Sequence, residues 1–277
     1  MFLASHGINA SYQTSGDGSL ADVLASAVFD LDATQSASYP GTGTTWANLV
    51  TAPADGSAQT DYDFFTGDGV TSTTYPAFNG AAGDPGAYWS FDGGDNFRLK
   101  SGVNPSFLNN LHKTTGGQDF WIAVTFNALD ITYGNYVAFA TGSAFAAGGE
   151  GILMRLNSLE SLQHVQAGTS GTSAYASASA SLGAGTHIII ISHSHASNLS
   201  TYWINSATGV EAAHTYSTST VNPANPARIA SLTDNTSALS AEKRIYSVAG
   251  GNEYLDNTKA AAIIAALEAR HARDYTP

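Results

Sequence analysis

Short β-type runs cut by turn residues dominate this chain. Stretches rich in aromatic and β-branched residues fall at 27–31, 88–91, 96–99, 120–127, 136–140, 151–156, 187–194, 201–204 and 228–231, each bounded by Gly, Asn, Asp or Pro. Such spacing is what a β-sandwich produces, because each strand crosses one sheet and must then turn back. A chain of 277 residues is long enough to bury a substantial core. The segment 119–126, Asp-Phe-Trp-Ile-Ala-Val-Thr-Phe, reads as a central strand. His-Ile-Ile-Ile-Ile-Ser at 187–192 lacks polar alternation and reads as a strand covered on both faces.

Two segments depart from this pattern. The Ser/Ala/Gly/Thr tract at 168–181 reads either as a loop or, from its Tyr-Ala-Ser-Ala-Ser-Ala alternation, as a polar edge strand. Residues 257–272 carry the one helical pattern, with Ala260, Ala261, Ile263, Ile264 and Leu267 forming its apolar stripe. Asp256 or Asn257 caps its start, and Arg270, His271 and Arg273 suit the negative end of its dipole.

Composition narrows the function classes. The formal net charge is −12, with only 10 Lys and Arg and no basic run, so a nucleic-acid footprint is not expected. There are no cysteines, which removes disulfides and thiolate metal sites and favours a bacterial or viral origin. The start, from Met1 to Ile8, lacks a basic n-region and a continuous apolar h-region, so no signal peptide is read there. The strongly apolar run at 188–191 is too short to span a bilayer. The expectation is a protein made in the cytoplasm, without membrane insertion.

Three stretches together resemble a known family. They are Phe29-Asp30-Leu31-Asp32-Ala33 leading into Ser38-Tyr39-Pro40-Gly41-Thr42-Gly43-Thr44-Thr45-Trp46-Ala47-Asn48-Leu49; then Tyr88-Trp89-Ser90-Phe91-Asp92-Gly93-Gly94-Asp95-Asn96-Phe97; and Arg244-Ile245-Tyr246-Ser247-Val248-Ala249 followed by Leu255-Asp256 and the helix. Their order and spacing resemble the concanavalin A-like (laminin G-like) lectin/glucanase domain. The resemblance implies an all-β, concanavalin A-like jelly-roll β-sandwich with one C-terminal α-helix. That fold mostly binds sugars or builds assemblies, and only sometimes catalyses.

The opening Ser5-His6-Gly7-Ile8-Asn9-Ala10-Ser11 is similar to leader segments of bacteriophage virion and tail proteins carrying such jelly rolls. This divides the chain into a leader and docking segment, 1–22, and a sandwich, 23–277. It implies a virion location, with capsid or tail proteins as partners, host-surface glycans as further contacts, and self-association as an option.

Candidate site residues follow from residue chemistry. Glycoside hydrolysis on this fold commonly uses a Glu-x-Asp-x-(x)-Glu strand, and no such triplet occurs; Glu150, Glu160, Glu211, Glu242, Glu253 and Glu268 stand apart in sequence. A non-enzymatic role is therefore expected, with a free-standing carbohydrate-binding lectin module as the alternative and, since carboxylates distant in sequence can converge in the fold, a glycoside hydrolase after it. Aromatic faces stack on sugar rings, and Tyr62, Phe64, Phe65 and Tyr133 are the candidate carbohydrate or partner contacts, whereas Trp46, Trp89 and Trp121 read as core. No cofactor is required by this reading. Asp92, Asp95 and Asn96 in a Gly-containing turn form a candidate calcium (Ca) site, with Asp61, Asp63 and Asp68 as a second oxygen-rich loop. Asp and Asn also populate turns for backbone reasons alone. His187, His193 and His195 share strand parity, which allows two metal ligands, although a solvated strand mouth is the plainer reading.

Overall fold

The computed structural model describes residues 19–67, 72–128, 136–142, 150–156, 161–167, 173–179, 182–213, 219–231 and 243–276. Two eight-stranded antiparallel sheets face each other. The first, sheet A, runs from Val210–Ala213 (β14) through Leu199–Ile204 (β13), Gly185–Ser194 (β12), Phe120–Ala128 (β7), Lys243–Gly251 (β16) and Tyr88–Phe91 (β5) to Ala77–Asn79 (β4). Ala27–Asp32 (β1) also pairs with β16. Sheet B runs from Ser173–Ser179 (β11) through Ser161–Ala167 (β10), Gly151–Leu156 (β9), Tyr136–Ala140 (β8), Arg228–Ile229 (β15), Phe97–Leu99 (β6) and Phe64–Thr66 (β3) to Thr45–Trp46 (β2).

Alternation sorts the side chains into two cores. Ile189 and Ile191 of β12, Ile122 and Val124 of β7, Ile245 and Val248 of β16, and Trp89 of β5 face sheet B, where they meet Trp46, Phe97, Phe139 and Ile152. The intervening Ile188, Ile190, Trp121, Ala123 and Ala249 face the other way, together with Trp203 of β13. Against them lies the helix Asn257–His271 (α2) with Ala260, Ile263, Ile264 and Leu267. The isoleucine run of β12 is thus covered on both faces, as its lack of alternation requires. Burying Leu255, Ile263, Ile264 and Leu267 contributes roughly 1.5–3 kcal/mol each before entropy is counted.

The ends of α2 are fixed by specific bonds. Asp256 is the N-cap and accepts from the Lys259 amide at 2.8 Å. Asn257 ties the helix to the sheet instead, since its Oδ1 accepts from the Trp203 indole at 2.9 Å and from the Gly209 amide at 3.0 Å. Ala272 ends the helix in the left-handed region at φ 48°, and the Arg273 amide reaches back to the Glu268 carbonyl. Trp121 also closes a tight contact at Gly251, where a Cβ would lie 2.4 Å from the indole nitrogen.

A buried ionic cluster ties α2 to β1. Asp30 and Asp32 lie on β1, and Arg270 Nη1 sits 3.0 Å from Asp30 Oδ2 and 3.3 Å from Asp32 Oδ2. His271 Nε2 meets Asp32 Oδ2 at 3.1 Å, while its Nδ1 shares a 2.6 Å hydrogen bond with the Tyr275 hydroxyl. The remaining lone pairs are used as well. Leu20 N–H donates to Asp30 Oδ2, and Thr34 donates both its amide and its hydroxyl to Asp32 Oδ1.

Several expectations change in detail. The tract at 168–181 contributes an edge strand over Ser173–Ser179, the outer strand of sheet B. The run expected at 228–231 is a two-residue strand because Ala230 turns left-handed at φ 68°. The boundary expected between residues 22 and 23 crosses a packed segment, since Leu20 is fully buried in the helix-side core and bonded to Asp30.

Arg270→Met leaves Asp30 and Asp32 buried without the guanidinium that bridges them. The expected loss is about 3–5 kcal/mol of unfolding free energy, measured by urea denaturation. A loss under about 1 kcal/mol would mean that the cluster is not holding helix to sheet.

Candidate functional site

Strand alternation in β3 turns Phe64 inward and Phe65 outward, so Phe65 is half-buried on the outer face of sheet B. The register sets its neighbours. Thr45, Phe65, Arg98 and Arg228 form one cross-strand row over β2, β3, β6 and β15. Lys100 Nζ lies 5.4 Å from the Phe65 ring centroid and 3.8 Å from Asp63 Oδ2. Arg98 and Arg228 stand directly opposite each other, an arrangement that like charges disfavour. Asn96 relieves part of this, accepting from Arg228 Nη1 at 2.7 Å. The result is one aromatic face flanked by hydrogen-bond donors, a combination suited to the apolar C–H face and hydroxyl rim of a sugar.

The neighbouring aromatics are not available to a ligand. Tyr62 and Phe64 were candidate contacts, but both are fully buried. Tyr62 stacks on Phe29 at 5.9 Å and donates its hydroxyl to Asp55 Oδ2. Both belong to the inter-sheet core because the short strand β3 sends alternate side chains inward. Tyr133 lies outside the described residues.

The Asp92–Asn96 turn is knit together by its own bonds. Asp92 N–H donates to Asp95 Oδ2 at 2.9 Å, and Gly94 N–H donates to Asp92 Oδ1 at 3.1 Å. Burial, reinforced by the adjacent Asp92 carboxylate, pushes the Asp95 carboxyl up to about 6. Asn96 is corrected as a calcium ligand, because its side-chain oxygen already accepts from the Arg228 guanidinium, whose charge repels a cation. In the second loop, Asp63 accepts from the Asn48 amide and Asp61 accepts from the Ala58 amide, while Asp68 lies outside the described residues. No group of three or more His, Cys, Asp or Glu side chains is placed to hold a metal among the described residues.

The histidines of β12 are bonded within the protein. His187 contacts the Gly183 carbonyl through Nε2 and the Asn205 amide through Nδ1, both at 2.9 Å. His193 is fully buried against Phe120 and shares a 3.0 Å bond with Ser200 Oγ. Shared parity sends both between the sheets rather than to a solvated mouth.

A histidine that sequence reasoning passed over is the more perturbed one. His112 is fully buried beside Ser106–Asn110 (α1), and its Nε2 lies 2.9 Å from the Val221 carbonyl. Burial is the main cause pushing it down to about 4. No periodic pattern surrounds it, so only the three-dimensional packing reveals its state.

No family model and no curated protein sequence matches this chain. Solved structures do. A sialidase of Trypanosoma rangeli in complex with sialic acid superposes with a TM-score of 0.54 at 9% identity, over 86% of this chain and 32% of that one. The binding domain of botulinum neurotoxin DC in complex with rat synaptotagmin II gives 0.59 at 9% identity, over 88% of this chain and 52% of that one. The same toxin domain in complex with SialylT gives 0.53 at 7% identity, over 88% and 52%. This chain therefore spans about a third of the sialidase and half of the toxin chain. At these identities the likeness establishes the fold alone, a two-sheet antiparallel β-sandwich with one C-terminal helix.

The titration of His112 has a definite sign. Its folded pKa lies below the ordinary histidine value of 6.5, so its contribution is full above about pH 6.5 and lost as pH falls towards about 4. Asp95 acts oppositely, its contribution being full below about 3.8 and lost as pH rises through about 6. His112→Gln should therefore flatten the fall in Tm on acidification from pH 6.5 to 5. An unchanged slope would show that His112 is not held neutral in the fold.

Proposed function

We propose that this chain is a non-catalytic, lectin-like sandwich that contacts glycans and is displayed on a bacteriophage-type particle as a decoration or tail-associated protein. The observation that carries the glycan reading is Phe65, half-buried on the outer face of sheet B beside Lys100 and the Arg98–Arg228 row. Two of the superposed chains are described in complex with sialic acid or SialylT, which supports a saccharide as the ligand class. The particle reading draws on the leader-like opening, which lies outside the described residues, and on the absence of cysteine.

The carboxylate pairs favour binding over hydrolysis. Most glycosidases use two carboxyl groups about 5–9.5 Å apart with the sugar between them. Asp92 and Asp95 adjoin within one tight turn, where the Asp92 amide donates to the Asp95 carboxylate. Asp30 and Asp32 are sealed in the core, and burial alone would push both up. For Asp32 the His271 imidazole and Arg270 guanidinium outweigh that effect and hold its carboxyl well below the usual carboxylate range.

Calorimetric titration with lactose, cellotriose, chitotriose and maltotriose tests this reading. At least one should bind, and Phe65→Ala should weaken it at least tenfold, about 1.4 kcal/mol, with little change in Tm. Binding that survives Phe65→Ala, or no binding across the panel, would refute the Phe65 face as the glycan contact.

A further inference from the structure

Beyond the C-terminal end of α2 the outer side of sheet A carries a second basic surface, on which Tyr88, Asn127, Thr186, Arg244 and Arg273 are half-buried. The bulge in β16 between Ile245 and Ser247 places Tyr246 on this side, next to Arg244. The Arg244 guanidinium carbon lies 4.5 Å from the Tyr88 ring centroid, and that of Arg273 lies 4.4 Å from the Tyr246 centroid. The two tyrosines meet edge to face at 6.0 Å, so the two guanidinium groups ride on one aromatic pair. The left-handed turn at Ala272 is what folds Arg273 back onto the sheet.

The register supplies a polar floor. Arg244, Asn127 and Thr186 are consecutive partners across β16, β7 and β12. Asn127 Nδ2 donates to Thr186 Oγ1 at 2.9 Å, and Arg273 Nη1 reaches the same oxygen at 3.3 Å. Among the described residues neither Arg244 nor Arg273 has a carboxylate partner. In a chain with 22 acidic and 10 basic side chains, two guanidiniums without an acid on one face stand out. A guanidinium seated on a ring uses its face and keeps its in-plane N–H donors for a planar oxyanion.

We propose that Arg244 and Arg273, seated on Tyr88 and Tyr246, form a second ligand site that takes the carboxylate of an acidic sugar. The two forks supply paired N–H donors to the carboxylate oxygens, Thr186 offers a hydroxyl, and the half-buried Tyr88 offers apolar surface to the ring carrying the acid. The net charge of −12 does not forbid this, because at physiological salt charges farther than about 8 Å are largely screened. The site lies on the opposite sheet from Phe65, and only its ligand class rests on the glycan reading above.

Calorimetry with 3′-sialyllactose, trigalacturonate, lactose and sodium sulfate, at low and physiological salt, tests the site. One acidic sugar should bind at least tenfold tighter than lactose and weaken with salt. Arg244→Gln and Arg273→Gln should each cost at least tenfold, and Phe65→Ala less than twofold. The double Lys variant keeps the charge but loses the forks, and should weaken binding at least fivefold even if the Gln variants unfold. Acidic sugars binding no tighter than lactose, or undiminished in the double Gln or Lys variant, would overturn the proposal. Sulfate competing at equal concentration would overturn the sugar assignment. Loss of this site with neutral-sugar binding at Phe65 intact would leave the Phe65 reading standing.

Discussion

Two aspartates on the first strand and an Arg-His pair at the end of the last helix share one buried cluster. Asp30, Asp32, Arg270 and His271 are buried, and the contact between Asp30 and Arg270 joins residues 240 positions apart. Desolvating four such groups is costly, and the cost is offset only because almost every lone pair and N–H has a partner. Such a cluster tolerates no partial version: removing one member strands the others. It therefore fixes where α2 ends, and with it which part of sheet A the helix covers and which lies beyond it.

That division shapes both candidate surfaces. Trp121, Trp203, Ile188 and Ile190 lie beneath α2, so the centre of sheet A serves packing. Past the helix end, Ala272 turns the chain and Arg273 comes to rest over Tyr246. Phe65, by contrast, owes its exposure to the alternation of a three-residue strand on the other sheet. One sandwich thus presents an aromatic face flanked by donors on one sheet and a paired-guanidinium face on the other.

Much of the fold was legible in local pattern, and the reasons are physical. A short β-branched Ile run between polar ends reads as a strand covered on both faces, and β12 is one. The helix at 257–271 announced itself by its apolar stripe and its capping Asp256. The two- and three-residue strands β2, β3 and β4 carried no such signal, because their pairing is set by partners distant in sequence. The site residues were harder still. In Tyr62-Asp63-Phe64-Phe65 a shift of one position decides which ring is core, so two of three aromatics expected outside lie inside. Asn96 has the chemistry of a ligand, yet Arg228, 132 residues away, occupies its oxygen. The pairing of Arg244 with Tyr88, and the neutral state of His112, depend likewise on contacts between separate strands and loops.

A glycan-contacting face matters most where it is displayed in many copies. Virus-like particles purified from the source culture should be digested and analysed by mass spectrometry, with copy number scaled to the major shell protein, and passed over beads carrying the bound glycan. A displayed lectin-like sandwich should be present in fixed stoichiometry, and the particles should be retained by the beads and released by free glycan. Absence of the chain from particles, or particles that carry it yet ignore the glycan, would contradict the role proposed for this sandwich.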